Sequence, residues 1–319
     1  MESTTRPRAW KVLLAFGIIY FVWGSTFLAI RVGVREVPPF LLAGMRFLVA
    51  GILLYGWMRA RGTPSPTMRE WSSATLLAVL IFVMDYGLLF WAERRVPSGI
   101  AAVMMATIPV FIALSEIFIL KAQRLTFRLG SALFVGIAGV TVLVSHTAGF
   151  GDAPIDSVGA CALIVGAMSW SAATALTRKL PLPKDKAMSS GAQMLAGGVL
   201  LALTSALLGE FRGFDFQDVS GKAWLALTYL IVAGSIVGFT AYVWLIHHES
   251  PTKVGTYAYV NPVVAVLVGY FLGGEALGAR TVIGTLLVLV SVVAITTTPR
   301  KRLQNDGLAD AEPLSADAE

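Results

Sequence analysis

Two ionisable residues lie inside apolar runs: Arg46 in "LLAGMRFLVAGILL" and Asp85 in "LIFVMDYGLLFW". A charge at the centre of a membrane helix costs a few kcal/mol on insertion scales, so each needs a partner or a function. At 1.5 Å per residue both fall roughly 10–12 Å below the same membrane boundary, so depth permits a pair. Such a pair is either a structural salt bridge or a gate or substrate contact. Glu275, after two glycines in "LGGEAL", stands at a helix end. There it can hydrogen-bond free backbone groups or act as a coupling acid. Glu116, close to Lys121, reads as a snorkelling interfacial acid.

Aromatic and small polar groups cluster at mid-depth. Trp23, Trp170, Tyr257 and Tyr259 lie deeper than the interfacial belt where Trp and Tyr collect. Ser25 and Thr26, after Gly24, leave room for a ligand against the backbone, and Asn261 supplies a donor and an acceptor. Tyr86, Tyr242, Met104 and Met105 join this set. Any one of them also serves as interhelical glue; together they resemble an apolar pocket with a few orienting polar groups. Pro262, in "TYAYVNPVVAVLVGYFLGGE", and Pro109 each remove a helical hydrogen bond, freeing the carbonyls of Ala258 and Met105. Irregular backbone at that depth is satisfied by packed protein or by a water-filled cavity.

Other chemistries find little support. His247 and His248 are adjacent, so a helix points them about 100° apart, and no third ligand is spaced for zinc. No Ser/His/Asp arrangement, phosphate-binding glycine loop or filter-like charged ring occurs. The expectation is no metal, no cofactor, no enzyme, no ATP-driven pump and no ion channel.

The elements that position these residues are membrane spans. The 319 residues are 56% apolar and 14% charged, against roughly a quarter charged in soluble domains, and the mean hydropathy is +0.74. Runs of the length that spans a bilayer, about 20 residues, recur near 12–30, 38–58, 72–92, 98–120, 129–145, 157–177, 188–208, 223–246, 254–272 and 281–298. This is an all-α membrane protein of ten transmembrane helices. The first run follows Arg6, Arg8 and Lys11 but lacks a small-residue cleavage pattern, so it reads as an uncleaved span. The lone cysteine, Cys161, permits no intrachain disulfide. Lys and Arg concentrate in alternate connections, among them Arg59, Arg61, Arg69, Lys121, Arg124, Arg128, Lys184, Lys186, Arg300 and Arg302, which places both termini in the cytoplasm. The net charge of +6 reflects these anchors, not a nucleic-acid partner.

The chain also repeats itself. Trp23 precedes Arg31 as Trp170 precedes Arg178, and "FLVAGILL" (47–54) aligns with "MLAGGVLL" (194–201) at the same offset. At a second shared offset Trp71, Trp91 and Pro109 fall on Trp224, Trp244 and Pro262. Five spans per copy is odd, so the second copy is inverted, the architecture of many secondary transporters. The expected organisation is a cytoplasmic amino-terminal segment 1–11, a first five-helix repeat 12–145, an outer linker 146–156, a second repeat 157–298, and a disordered cytoplasmic tail 299–319.

"WGSTFLAIRVGV" (23–34), "PPFLLAGMRFLVAGILL" (38–54), "VPSGIAA" (96–102), "TYAYVNPVVAVLVG" (256–269) and "GGEAL" (273–277) together resemble the drug/metabolite transporter superfamily, in its branch of tandem EamA domains. That resemblance implies ten spans, cytoplasmic termini, a central pathway between the repeats and export of small metabolites. One departure is visible: the counterpart of Glu275 in the first half is Gln123. The expected function is a secondary transporter of the bacterial inner membrane, exporting metabolites, amino acids or drug-like compounds by alternating access. Its site would hold Trp23, Ser25, Thr26, Met105, Pro109, Trp170, Tyr257, Tyr259, Asn261 and Pro262. Its partners are a small-molecule substrate and the lipid bilayer, and it is a monomer or homodimer. A passive facilitator or pore, or a membrane-embedded enzyme, is the alternative.

Overall fold

Where water is absent a helix satisfies its backbone internally, and the described part of this chain is built that way. The computed structural model describes residues 9–114, 117, 126–144, 155–177, 179–249, 251–254 and 256–297, and among these it is helical without strands. Seven helices are long and apolar enough to cross a membrane: α1 (Ala9–Val34), α2 (Pro39–Ala60), α3 (Met68–Ala92), α6 (Ser157–Thr177), α7 (Lys186–Leu207), α8 (Gly221–Leu245) and α10 (Ala279–Thr296). Three shorter apolar helices complete the ten: α4 (Ser98–Leu114), α5 (Phe127–Leu143) and α9 (Tyr257–Gly273). Local sequence sets the ends. Pro38 and Pro39 open α2 where a missing N–H costs nothing. Thr67 and Glu70 form a capping box on α3, Asp185 caps α7, and Gly274 at φ +64° closes α9.

Packing follows the repeat. α2 lies along α7, α5 along α10 and α4 against α9, while α1 crosses α8 and α9 as its counterpart α6 crosses α3 and α4. Each helix of the first repeat therefore packs on helices of the second, and the repeats are interleaved. The α2–α7 seam depends on glycines at matching positions: Gly44 and Gly51 face the α7 backbone, and Gly191 and Gly198 face the α2 backbone. Only hydrogen in place of a side chain allows main chains that close. The core between the repeats holds Leu42, Phe47, Phe82, Phe90, Leu163, Leu201 and Leu230, whereas Phe134, Leu203 and Leu272 are exposed on the periphery, as a lipid-facing surface requires.

Two features escaped the sequence. Val79–Gly87 in α3 and Leu230–Val237 in α8 are π-helical, at equivalent places in the two repeats. Such turns recur at functional sites. Also, the end of the bundle away from the start of α1 is laced by carboxylates that cap helices of the opposite repeat. Glu36 accepts from the Ser220 amide (2.6 Å) and hydroxyl (2.8 Å) at the start of α8, and Glu210 from the Leu41 amide (2.9 Å) at the start of α2. The Ser220 amide, then its hydroxyl, hold the Glu36 carboxyl below the ordinary range. The contribution of this cap is therefore present above the ordinary carboxylate pKa and lost as pH falls through the depressed value.

Candidate functional site

The residues expected to bind a ligand divide, on their surroundings, into those already engaged and those that face one another across the repeats. Ser25 Oγ bonds the Phe21 carbonyl (2.7 Å) and the Tyr229 hydroxyl (2.7 Å), and Thr26 Oγ1 donates to the Trp23 carbonyl (2.6 Å). A Cβ on Gly24 would stand 2.6 Å from Val264 Cβ, so Gly24 admits α9 where the sequence suggested a ligand. With its amide turned to satisfy its neighbours, Asn261 donates to the carbonyls of Ile19 (3.3 Å) and Tyr20 (3.2 Å). These groups tie α1 to α8 and α9, as does the Tyr20–Thr256 hydroxyl pair. Tyr259 is separated from Tyr257 by about 200° of helical turn. It packs instead with Val103, Ala106, Leu143 and Val288.

The prolines differ from the expected symmetric midplane pair. α4 breaks into Ser98–Met105 and Ile108–Leu114 with a turn at 106–107, so Pro109 sits in the first turn of a new segment, where proline is tolerated. Pro262 lies inside the continuous α9, as its sixth residue, and is buried. Met105 is buried against the central core.

What remains is a pair of aromatic groups related by the repeat. Trp23 on α1 meets Tyr257 of α9 edge-on (5.2 Å between centroids) and Tyr242 of α8 (5.4 Å). Trp170 on α6 meets Tyr86 of α3 edge-on at 6.1 Å. Tyr86 and Tyr242 both lie within electrostatic reach of Tyr257, so three tyrosines from both repeats converge between two tryptophans. The π-helical turns place them. Trp23 Nε1 donates to the Gly234 carbonyl (3.1 Å) in the π-segment of α8, and Ser169 Oγ donates to the Leu80 carbonyl (2.8 Å) in that of α3. In each repeat the irregular backbone is satisfied by a side chain from the helix crossing it. A groove of about 290 Å³ on the flank, lined by Leu54, Ala187, Phe239, Thr240, Val243 and Trp244, contains none of the expected binding residues.

Arg46 and Asp85 are buried at 3% and 2% exposure, but among the described residues no ion pair joins them. Arg46 Nε donates to Ser235 Oγ (3.1 Å), and its guanidinium lies over Phe47 (4.6 Å) and Tyr86 (5.4 Å). Asp85 faces Gly166 of α6. Aromatic faces and a π-turn serine thus take the place of a carboxylate partner. It follows that Asp85→Asn should keep its folded yield, that Arg46→Ala should lose most of it, and that the charge swap should rescue nothing. Detergent-solubilised yield checks this; recovery in the swap would restore the pair.

Glu275 caps the other repeat. Its Oε1 accepts from the Ser98 amide and hydroxyl (both 2.7 Å), its Oε2 from the Gly99 amide (3.0 Å), and Arg31 Nε stands 3.3 Å from Oε1. A carboxylate here suits the positive end of the α4 dipole. Glu116, Lys121 and Gln123 lie outside the described residues. Among the described residues no group of three or more potential metal ligands occurs.

Comparison with known proteins places these features. Residues 9–145 and 157–297 each match the model of the EamA-like transporter family. Over 291 residues the chain is 38% identical to "Uncharacterized inner membrane transporter YedA" of Escherichia coli K12, covering 90% of this chain and 92% of that one. It is 26% identical to an "Uncharacterized transporter" of Archaeoglobus fulgidus, covering 90% and 97%. It is also 26% identical to "WAT1-related protein At3g02690, chloroplastic" of Arabidopsis thaliana, covering 90% and 69%. One crystal structure shares the fold with a TM-score of 0.60 at 23% identity, over 91% of this chain and 99% of that one.

Proposed function

This chain belongs to the EamA-like transporter family, and from that premise we propose that it is a secondary carrier of the bacterial inner membrane. Both termini face the cytoplasm, and it exports small amphipathic metabolites, amino acids or drug-like compounds by alternating access. The observation that carries this reading is the convergence of Tyr86, Tyr242 and Tyr257 between Trp23 and Trp170, with contributions from both inverted repeats. Among the described residues none of the three hydroxyls is hydrogen-bonded to another. Aromatic walls with free hydroxyls accept a flat or amphipathic molecule and orient its polar end. Rocking of one repeat against the other exposes such a site to each side in turn.

A growth-protection screen of an overexpressing strain against amino acids and toxic analogues supplies the substrate, and uptake into liposomes then locates the site. Tyr257→Phe keeps the ring and removes one hydroxyl; it should weaken apparent affinity by about tenfold, the loss of one buried hydrogen bond. Unchanged affinity in both Tyr257→Phe and Tyr86→Phe would place the site elsewhere. Pro262→Ala gives α9 an amide for the Ala258 carbonyl, so thermal stability in detergent should hold or rise while initial uptake falls. Wild-type uptake in that variant would make the proline a packing kink.

A further inference from the structure

The α3–α4 connection reads Glu93-Arg94-Arg95-Val96-Pro97. Both arginines are exposed, Arg95 lying over Trp91 at 3.9 Å, while Glu93 turns inward and is 1% exposed. Neither Glu93 carboxyl oxygen has a hydrogen-bond partner among the described residues. An ionised carboxylate in that position costs several kcal/mol, and a group so placed neutralises by holding a proton. The charged groups acting on it are Arg31 of α1, Arg46 of α2 and Glu275 of the α9–α10 connection. α6, which also packs on this end of α3, carries no charged residue, and Asp156 just before it accepts from the Gly159 amide (2.6 Å) of its own helix. Burial first, and the Glu275 charge next, push the Glu93 carboxyl well above the ordinary range against the pull of Arg31 and Arg46.

Arg31 is the shared member of this cluster. Its Nε faces Glu275 at 3.3 Å, in an ion pair without hydrogen-bond geometry, while its Nη1 donates to the main-chain carbonyls of Glu93 (3.3 Å) and Val96 (2.5 Å). One guanidinium thus joins the Glu275 carboxylate that caps α4 to the main chain of the Glu93 connection, and its charge acts on a Glu93 carboxyl that has no donor of its own.

We propose that Glu93 is a proton-binding residue of the transport cycle, and that its proton keeps the Arg31–Glu275 cap closed over α4. This rests on the carrier reading above. As this end of the bundle opens, the carboxyl O–H ionises and its proton passes to entering water. The carboxylate left behind competes with Glu275 for Arg31 and loosens the contact between α4 and the α9–α10 connection. Reprotonation releases Arg31 and closes the cap. The sign follows from the raised affinity for the proton: closure is complete below the ordinary carboxyl pKa and lost as pH rises through the higher value.

Hydrogen–deuterium exchange on the full chain in lipid nanodiscs tests this without a substrate. Rates for the segment beginning at Ser98 are compared across pH, after correction for intrinsic exchange, in the wild type and in Glu93→Gln, the neutral isostere of the protonated acid. In the wild type, protection should fall by about tenfold per pH unit over the titration; in Glu93→Gln it should stay constant. Infrared difference spectra should show a protonated-carboxyl band that loses intensity in Glu93→Gln. Constant protection in the wild type, parallel profiles in the two proteins, or a carboxyl band indifferent to Glu93→Gln would overturn the proposal. Failure of the carrier reading appears separately, as absent counterflow with these spectra intact.

Discussion

Gly51→Ala is expected to lose folded protein, although it adds a single methyl group to a helix. The added Cβ would stand 2.5 Å from the Leu195 amide nitrogen, 2.7 Å from its Cα and 2.9 Å from the Met194 carbonyl carbon. These are main-chain atoms of α7 with no rotamer to yield, so the helices must separate. Overpacking of flexible cores costs 1–3 kcal/mol; against rigid backbone we expect on the order of 3 kcal/mol or more. Gly198→Ala, its counterpart across the seam, should behave alike. The control is on the same helix. Gly56 has nothing within 4 Å of its would-be Cβ, so Gly56→Ala should be neutral or slightly stabilising through better helix propensity. Thermal denaturation in detergent measures all three, and a stable Gly51→Ala would disprove the close seam.

Trp23→Ala should have the largest effect on transport. The indole fills the space a Cβ of Gly238 would take, contacts Tyr242 and Tyr257, and satisfies the Gly234 carbonyl of a π-helical turn. Truncating a fully buried Trp costs about 3–5 kcal/mol; Trp23 is half-buried, and a loss at the lower end of that range still disorders the α8 segment as well as the site. Trp23→Phe separates the two effects. It keeps an aromatic wall and removes one donor, worth about 1 kcal/mol, so folded yield should survive while initial transport falls by about tenfold. Ser169→Ala, which frees the Leu80 carbonyl in the other repeat, should give a milder form of the same defect. Wild-type rates in Trp23→Phe would mean that the π-turn carbonyl needs no partner for function.

Much of the architecture is legible in the residues. Ten apolar runs give the spans, and the Trp, Gly and Pro positions shared by the halves give the repeat. Glycines 147 residues apart, Gly44 and Gly191, Gly51 and Gly198, line one seam because inversion sets equivalent positions symmetrically along it. The π-helical turns have no such signature. "VLIFVMDYG" and "LIVAGSIV" read as ordinary apolar helix, and only the carbonyls taken by Ser169 and Trp23 reveal the wider turn. Composition also hides Glu93, because it is followed by two exposed arginines and looks like part of a solvated connection. Arg46 and Asp85 share a depth, and depth alone suggested a pair. Which way each side chain turns around its helix axis was set by Ser235 and the aromatic faces on one side and by Gly166 on the other. Asn261 and Ser25 carry the right chemistry for a ligand, but the neighbouring helices had already claimed it.

A carrier opens its site to one side of the membrane at a time, and solute counterflow in proteoliposomes reads that property. Purified protein is reconstituted, the vesicles are loaded with unlabelled substrate from the growth screen, and labelled substrate is added outside. The expected result is a transient overshoot of intact labelled substrate that saturates with concentration and disappears in Trp23→Ala. Flux that rises linearly without overshoot would show a pore, and conversion of the label to a product would show an enzyme; either result would exclude a carrier.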